Sequence, residues 1–149
     1  MERVATNIEV RRIPPDGTAA TTYTLSAGTT DVNTGGVDTR GFNEVTFIFI
    51  AGTMAASSSI DLTLEASSDN SSFAAVTGGT TAQFSATDDD KVTIVNVVDL
   101  QYRYYRLAIN RGAGGNSTVD GVIALLSKPV QGGVTQGSTV DGTLILTNV

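Results

Sequence analysis

Tyr102-Arg103-Tyr104-Tyr105-Arg106-Leu107-Ala108-Ile109-Asn110 is the stretch whose reading decides the fold. Aromatic and aliphatic residues of this kind suit a pleated, half-buried surface. Alternation puts Arg103, Tyr105, Leu107 and Ile109 on one face and Tyr102, Tyr104, Arg106 and Ala108 on the other. The stretch holds three of the four tyrosines and two of the nine basic residues. A Gly-rich turn, Arg111 to Asn116, follows, and then a second apolar run, Val119 to Leu126. The pair reads as a central antiparallel hairpin.

Working outward, the other segments are also strand-like. Ile8 and Val10 alternate with Glu9 and Arg11 until Pro14-Pro15-Asp16-Gly17 stops the run with turn chemistry. This segment is either an edge strand or an N-terminal arm lying on a neighbouring molecule. Thr21 to Ser26 is a short alternating strand, and residues 29–41 read as a loop with one short strand at most. Val45-Thr46-Phe47-Ile48-Phe49-Ile50-Ala51 is apolar on both faces after Thr46, the pattern of a strand that is covered on both sides or lies central in a sheet with a neighbour packed over it. Gly52 to Ser59 reads as a flexible loop. Ile60-Asp61-Leu62-Thr63-Leu64-Glu65 has a clean period of two, and a turn at Ser67–Ser72 leads to a return strand from Phe73 to Val76. Gly78-Gly79 reads as another turn and Gln83–Ala86 as a short strand. Val92 to Val98 is a β-branched run whose pattern Asn96 interrupts.

After Lys128-Pro129 the composition shifts to Gly-rich linker sequence, followed by Gly142-Thr143-Leu144-Ile145-Leu146-Thr147. An isolated strand leaves its ladder groups unpaired, so this one must add to an edge of its own sheet or of a neighbour's. No convincing helix is found. Strands at spacings of roughly 8–12 residues predict an all-β, two-sheet antiparallel β-sandwich of jelly-roll-like type with extended terminal arms. The expected division is 1–18 as N-terminal arm or edge strand, 19–129 as sandwich core, and 130–149 as a Gly-linked C-terminal arm. At 149 residues the chain fits one domain with one core.

Composition narrows the chemistry. The net charge of −6 and the scattered arginines argue against nucleic acid as a partner. The longest apolar run falls far short of the roughly 20 residues of a membrane-spanning helix, and the start of the chain has no secretory pattern. Without cysteine there are no thiolate metal sites, and without histidine the commonest general base is missing. Asp88-Asp89-Asp90 with Asp69 and Asn70 offers hard oxygen ligands of the kind calcium takes, but lacks the spacing of an EF-hand loop, and a solvated acidic turn is the better reading. Asp61 and Glu65 share a strand face at about 13 Å, too far apart for a glycosidase pair. Lys91 and Lys128 are the only lysines, and neither sits in a Ser-x-x-Lys pattern. Gly112–Gly115 joins strand to strand, with no helix N-terminus to hold a phosphate. Of Arg103 and Arg106, one is expected to turn towards packed surface, with Glu65 or Asp99 as its ion-pair partner, or else to serve an intersubunit contact. No enzyme and no cofactor are expected.

Leu62 to Val76, with its Ser-Ser-Asp-Asn turn before Phe73, taken together with Tyr104 to Ile109 and Val122 to Pro129, resembles the small cement, or decoration, proteins of tailed-bacteriophage heads. The resemblance covers roughly residues 60–129. It implies a β-sandwich virion protein that binds the outside of an assembled capsid, bridges capsomers as a homotrimer and has the major capsid protein as its partner, after synthesis in the host cytoplasm. The expected interface residues are Arg11, Arg12, Tyr102, Tyr104, Arg106, Leu144, Ile145 and Leu146. A tail or head-fibre component is the alternative among virion proteins. The turn-aromatic segment also resembles carbohydrate-binding sandwich modules, from which this chain departs in having no tryptophan.

Overall fold

The computed structural model describes residues 7–17 and 23–130. Among these residues, ten strands form two antiparallel sheets: β1 (Glu9–Arg12), β2 (Tyr23–Leu25), β3 (Val32–Asn33), β4 (Val37–Asp38), β5 (Phe42–Met54), β6 (Ser58–Ser67), β7 (Ala74–Thr80), β8 (Val92–Val98), β9 (Tyr104–Gly114) and β10 (Ser117–Pro129). The first sheet has the order β1-β10-β5-β8, with β2 also pairing with β10. The second has the order β3-β9-β6-β7, with β4 also pairing with β9. The all-β sandwich read from the sequence is what the chain forms.

Period-two alternation builds the core. Val45, Phe47, Phe49 and Ala51 of β5 and Val122, Ala124 and Leu126 of β10 face Ile60, Leu62 and Leu64 of β6 and Tyr105, Leu107 and Ile109 of β9, and all are buried. Phe49 meets Phe84 with ring centroids 5.5 Å apart. The Tyr23 hydroxyl, buried among these side chains, donates to the Ile13 carbonyl at 2.8 Å, and burial pushes its pKa well above the ordinary value. Tyr105 anchors the entry to β9, where its hydroxyl accepts the backbone N–H groups of Gln101 and Tyr102 at 3.0 and 3.2 Å.

Several local expectations are corrected. β9 and β10 are consecutive strands but not a hairpin: β9 pairs with β3, β4 and β6, and β10 with β1, β2 and β5. The short link at Gly115-Asn116 carries the chain from one sheet to the other. Gly78-Gly79 is no turn but lies inside β7. Gly78 takes φ +76°, and the register slips between Thr63↔Thr80 and Glu65↔Ala75, so the extra residues bulge out of the ladder. Gln83–Ala86 contributes a single bridge, Phe84 to Ile60, rather than a strand. The Gly52–Ser59 segment is mostly strand, with a tight turn closed by the Ser58 N–H on the Ala55 carbonyl at 2.8 Å. Residues 29–41 hold two short strands, β3 and β4. Glu9–Arg12 is an edge strand on β10, in register Val10↔Leu125 and Arg12↔Ile123.

Candidate assembly surface

The outward face of the second sheet is polar and internally paired. Register places Asp61 opposite Asn110 and Glu65 opposite Arg106. Asn110 donates to Asp61 at 2.7 Å and to Thr63 at 2.9 Å. Arg106 donates to Glu65 at 2.7 Å and to Asp16 at 3.0 Å, with its guanidinium 4.1 Å from the centre of the Phe73 ring. Of the two arginines flagged in the sequence, Arg106 is therefore the one against packed surface, and Glu65 is its partner. Asp99, the other candidate partner, instead occupies a left-handed turn position at φ +55°. Arg103 lies before β9 and reaches Asp38 at 2.8 Å, where Arg40 also approaches at 3.4 Å. The Arg103 hydrogen bond holds the Asp38 carboxyl below its usual range.

The acidic turns are occupied in the same way. Asp69 caps its own hairpin, accepting from the Ser72 and Ser71 N–H groups and the Ser67 hydroxyl, which lowers its pKa to about 2. Lys91 at 2.6 Å, with the Ser85 N–H and hydroxyl, does the same for Asp88, also to about 2. Asp89 accepts the Met54 N–H at 2.7 Å. Among the described residues no three acidic side chains gather in the manner of a metal site.

The outward face of the first sheet has a different character. Pairing aligns Arg12, Ile123, Ile48 and Ile94 in one row across four strands. Adjacent rows hold Val10, Leu125, Thr46 and Asn96, and Gly121, Ile50 and Val92. Ile48, Ile50, Ile123 and Leu125 are half-buried, while Ile94 is 65% exposed and Val92 and Val98 are each about half exposed. Beside Gly121, where a side chain is missing from the row, Val10, Arg12, Ile50, Asp120 and Ile123 surround a depression of about 240 Å³. Polar contacts divide this face: Thr46 donates to Asn96 at 2.8 Å in the row beside Ile48 and Ile94, and in the next row Lys128 pairs with Glu44 at 2.8 Å, which lowers the Glu44 pKa. The both-faces-apolar pattern of Val45–Ala51 thus divides into an inner half covered by the second sheet and an outer half that no described residue covers.

The expected interface residues do not form one patch. Arg12 borders the apolar face just described, whereas Arg11 turns to the other side of β1, pairing with Glu9 at 2.7 Å and donating to the Asp38 carbonyl at 3.0 Å. Tyr102 is half exposed and stands edge-on to Tyr105. Tyr104 lies under the Arg103 guanidinium at 4.8 Å. Arg106 is held within the chain, as described above. Leu144, Ile145 and Leu146 lie outside the described residues. The sequence reading missed Ile48, Ile94, Ile123 and Leu125 as surface residues. Their signal was the apolar richness of three strand-like runs, Val45–Ala51, Val92–Val98 and Val119–Leu126.

The fold is that of a two-sheet antiparallel sandwich, and among the described residues the outer face of its first sheet is rich in apolar side chains. No protein family and no curated protein matches the sequence. Among solved structures the chain is similar in fold to the PBSX exported protein XepA, with a TM-score of 0.52 and 16% identity over 99% of this chain. The match takes in 46% of that protein, so this chain spans less than half its length.

Proposed function

We propose that this protein is a non-enzymatic structural component of a tailed-phage virion that sits on the outer surface of an assembled capsid and bridges capsomers as a homotrimer. The observation that carries this reading is the apolar outer face of the first sheet, set against the charge-paired outer face of the second. A contiguous exposed apolar patch of this kind marks a protein contact. Ile48, Ile94, Ile123 and Leu125 supply its centre, and Arg12, Glu44 and Lys128 its polar rim, the layout of a protein interface. The fold likeness to an exported protein of PBSX, a phage-related protein, supports a phage origin in the broad sense. Repetition of modest contacts over three protomers would give firm attachment through avidity, with the major capsid protein as partner.

The test is co-sedimentation with assembled shells and with free capsid subunits, alongside the molar mass in solution. Binding to shells alone, lost in Ile94→Asp while the fold persists, is the expected result. Equal retention of the variant on shells would remove the apolar face from the proposal, and failure of the native protein to bind any shell would overturn the function.

A further inference from the structure

The strand edges of the sandwich are unequal. In the second sheet, β3 and β4 are only two residues long each, and β7 bulges at Gly78. In the first sheet, β1 carries Glu9, Arg11 and Arg12 within its four residues. Short length, a bulge and charge each spoil an edge for further pairing. β8 has none of these devices. Val92-Thr93-Ile94-Val95-Asn96-Val97-Val98 is free of charge, proline and glycine, and its pairing with β5 runs without a register shift from Glu44↔Val98 to Ile50↔Val92. Among the described residues its strand partner is β5 alone.

The backbone of this edge is laid out for another strand. The Ala51 N–H donates to the Lys91 carbonyl at 2.9 Å. Counting by twos along the register, Thr93, Val95 and Val97 turn their N–H and C=O groups towards β5. Val92, Ile94, Asn96 and Val98 turn theirs away from it. The side chains of Val92, Ile94 and Val98 are more than half exposed. Thr93, Val95 and Val97 are half-buried, and the two valines line an open cleft of about 430 Å³ together with Leu64 and Val76.

We infer that the β8 edge pairs with the β8 edge of a second copy of this chain, antiparallel, about a two-fold axis at Val95. The composition of the edge selects that occupant. Centred on Val95, the register sets Ile94 opposite the partner's Asn96, Val92 opposite the partner's Val98 and Thr93 opposite the partner's Val97. The groups turned away from β5 then bond in reciprocal pairs, and apolar side chains meet on both faces. The flanking charges are complementary: Lys91 falls opposite the partner's Asp99, and symmetry makes this contact twice. Asp99 is exposed, and Lys91 keeps more than half of its side chain exposed while it pairs with Asp88. Either neighbouring register, centred on Ile94 or on Asn96, parts Lys91 from Asp99, and the first sets Asp99 opposite the partner's Asp89. Like charges directly opposite are unfavourable, so the Val95-centred register is the favoured one. The two first sheets become one continuous sheet, their apolar outer faces join, and Val95 and Val97 of each copy stand at the mouth of the other's cleft.

The inference does not rest on the capsid reading, and its test uses the isolated full-length protein with no shell present. Amide hydrogen exchange is read residue by residue by NMR on the native protein, from dilute to concentrated solution. The Ile94 and Asn96 amides should exchange rapidly when dilute and gain several-fold protection on concentration, while the Val95 and Val97 amides stay protected throughout. Protection of Ile94 and Asn96 at every dilution would mean an occupant within the chain and would overturn the inference, as would rapid exchange at every concentration. Cysteine substitution tests the register, since the chain has no cysteine of its own. A pair opposite each other without hydrogen bonds brings its Cα atoms to about 4.5 Å, within disulfide reach. Val95→Cys should therefore oxidise to a bridged dimer. Val97→Cys should do so at least several-fold more slowly, because its counterpart lies about 13 Å further along the strand. Equal rates for the two variants, or no bridging in Val95→Cys, would overturn it.

Discussion

On the outer face of the second sheet, Asp61, Glu65, Arg106 and Asn110 answer one another across β6 and β9, whereas on the outer face of the first sheet Ile48, Ile94 and Ile123 stand in one row with no polar group between them. Both faces are built from strands of the same sandwich with comparable core packing behind them. Among the described residues, one pairs its polar groups across the strands, and the other leaves Val92, Ile94 and Val98 exposed. Exposed apolar area is unfavourable by about 25 cal/mol per Å², so a face of that kind gains most from a partner. The polar face gains little, because its charges would have to exchange existing partners for new ones. In the tyrosine- and arginine-rich strand β9, expected as an interface from its composition, one side chain is already committed within the chain. Arg106 is already engaged by Glu65, Asp16 and Phe73.

Paired substitutions on β5 sharpen the contrast most strongly. Phe49→Ala should cost about 3–5 kcal/mol in urea unfolding, since Phe49 is 1% exposed and packs on Phe84. The neighbouring Ile50→Ser, on the outer face, should cost well under half as much. Equal losses would mean that the outer face is covered within the isolated protein. Next in size, Arg106→Leu should destabilise by about 2 kcal/mol, because it leaves Glu65 without its donor in a mostly buried position. A neutral result would place the ion pair among surface bridges of negligible worth.

A smaller effect is expected at Gly36. There an added Cβ would collide with Asn70 Oδ1 and come within 2.9 Å of the Phe73 ring, so Gly36→Ala should shift the Ser67–Phe73 hairpin and lower Tm by a few degrees. Least of all, Ile94→Asp should leave unfolding within about 0.5 kcal/mol of the native protein while lowering any self-association seen by light scattering.

Acid titration bears on the polar side of the comparison. Asp69 and Asp88 have folded-state pKa values of about 2, and those of Asp38 and Glu44 are also lowered. Unfolded carboxyls titrate near 4, so as pH falls through that region the unfolded chain takes up protons first. The stability these groups contribute is therefore complete above about pH 5, declines below pH 4 and is lost near pH 2. Tm measured from pH 7 to 2 should follow that course, and Asp69→Asn should flatten part of it. With no histidine in the chain, no histidine titration should alter Tm between pH 5.5 and 8.

Much of the sandwich was legible in the residues. Val45–Ala51 announced a central strand, and Leu62–Val76 announced a strand, a capped turn and a return. Arg106 with Glu65 was a candidate pair before its geometry was known. The misreadings share one cause. Tyr102–Asn110 followed by Val119–Leu126 looks like a hairpin because nearness in sequence suggests pairing, and nothing local reveals that a two-residue link can step between sheets. Gly78-Gly79 carries the composition of a turn, yet a bulge uses the same positive φ.

The alternation of apolar and polar side chains, and hence strands, two sheets and a core, is written locally, because burying one face of each strand is a requirement every segment meets alone. Only the tertiary structure decided which strands became neighbours. That order sets Ile48 beside Ile94 and Ile123, ties Arg106 to Asp16 across the chain, and among the described residues puts β8 at an edge of the first sheet. Its physical reason is non-local: a ladder partner is chosen by register and by competition among all strands, and no single segment carries that information.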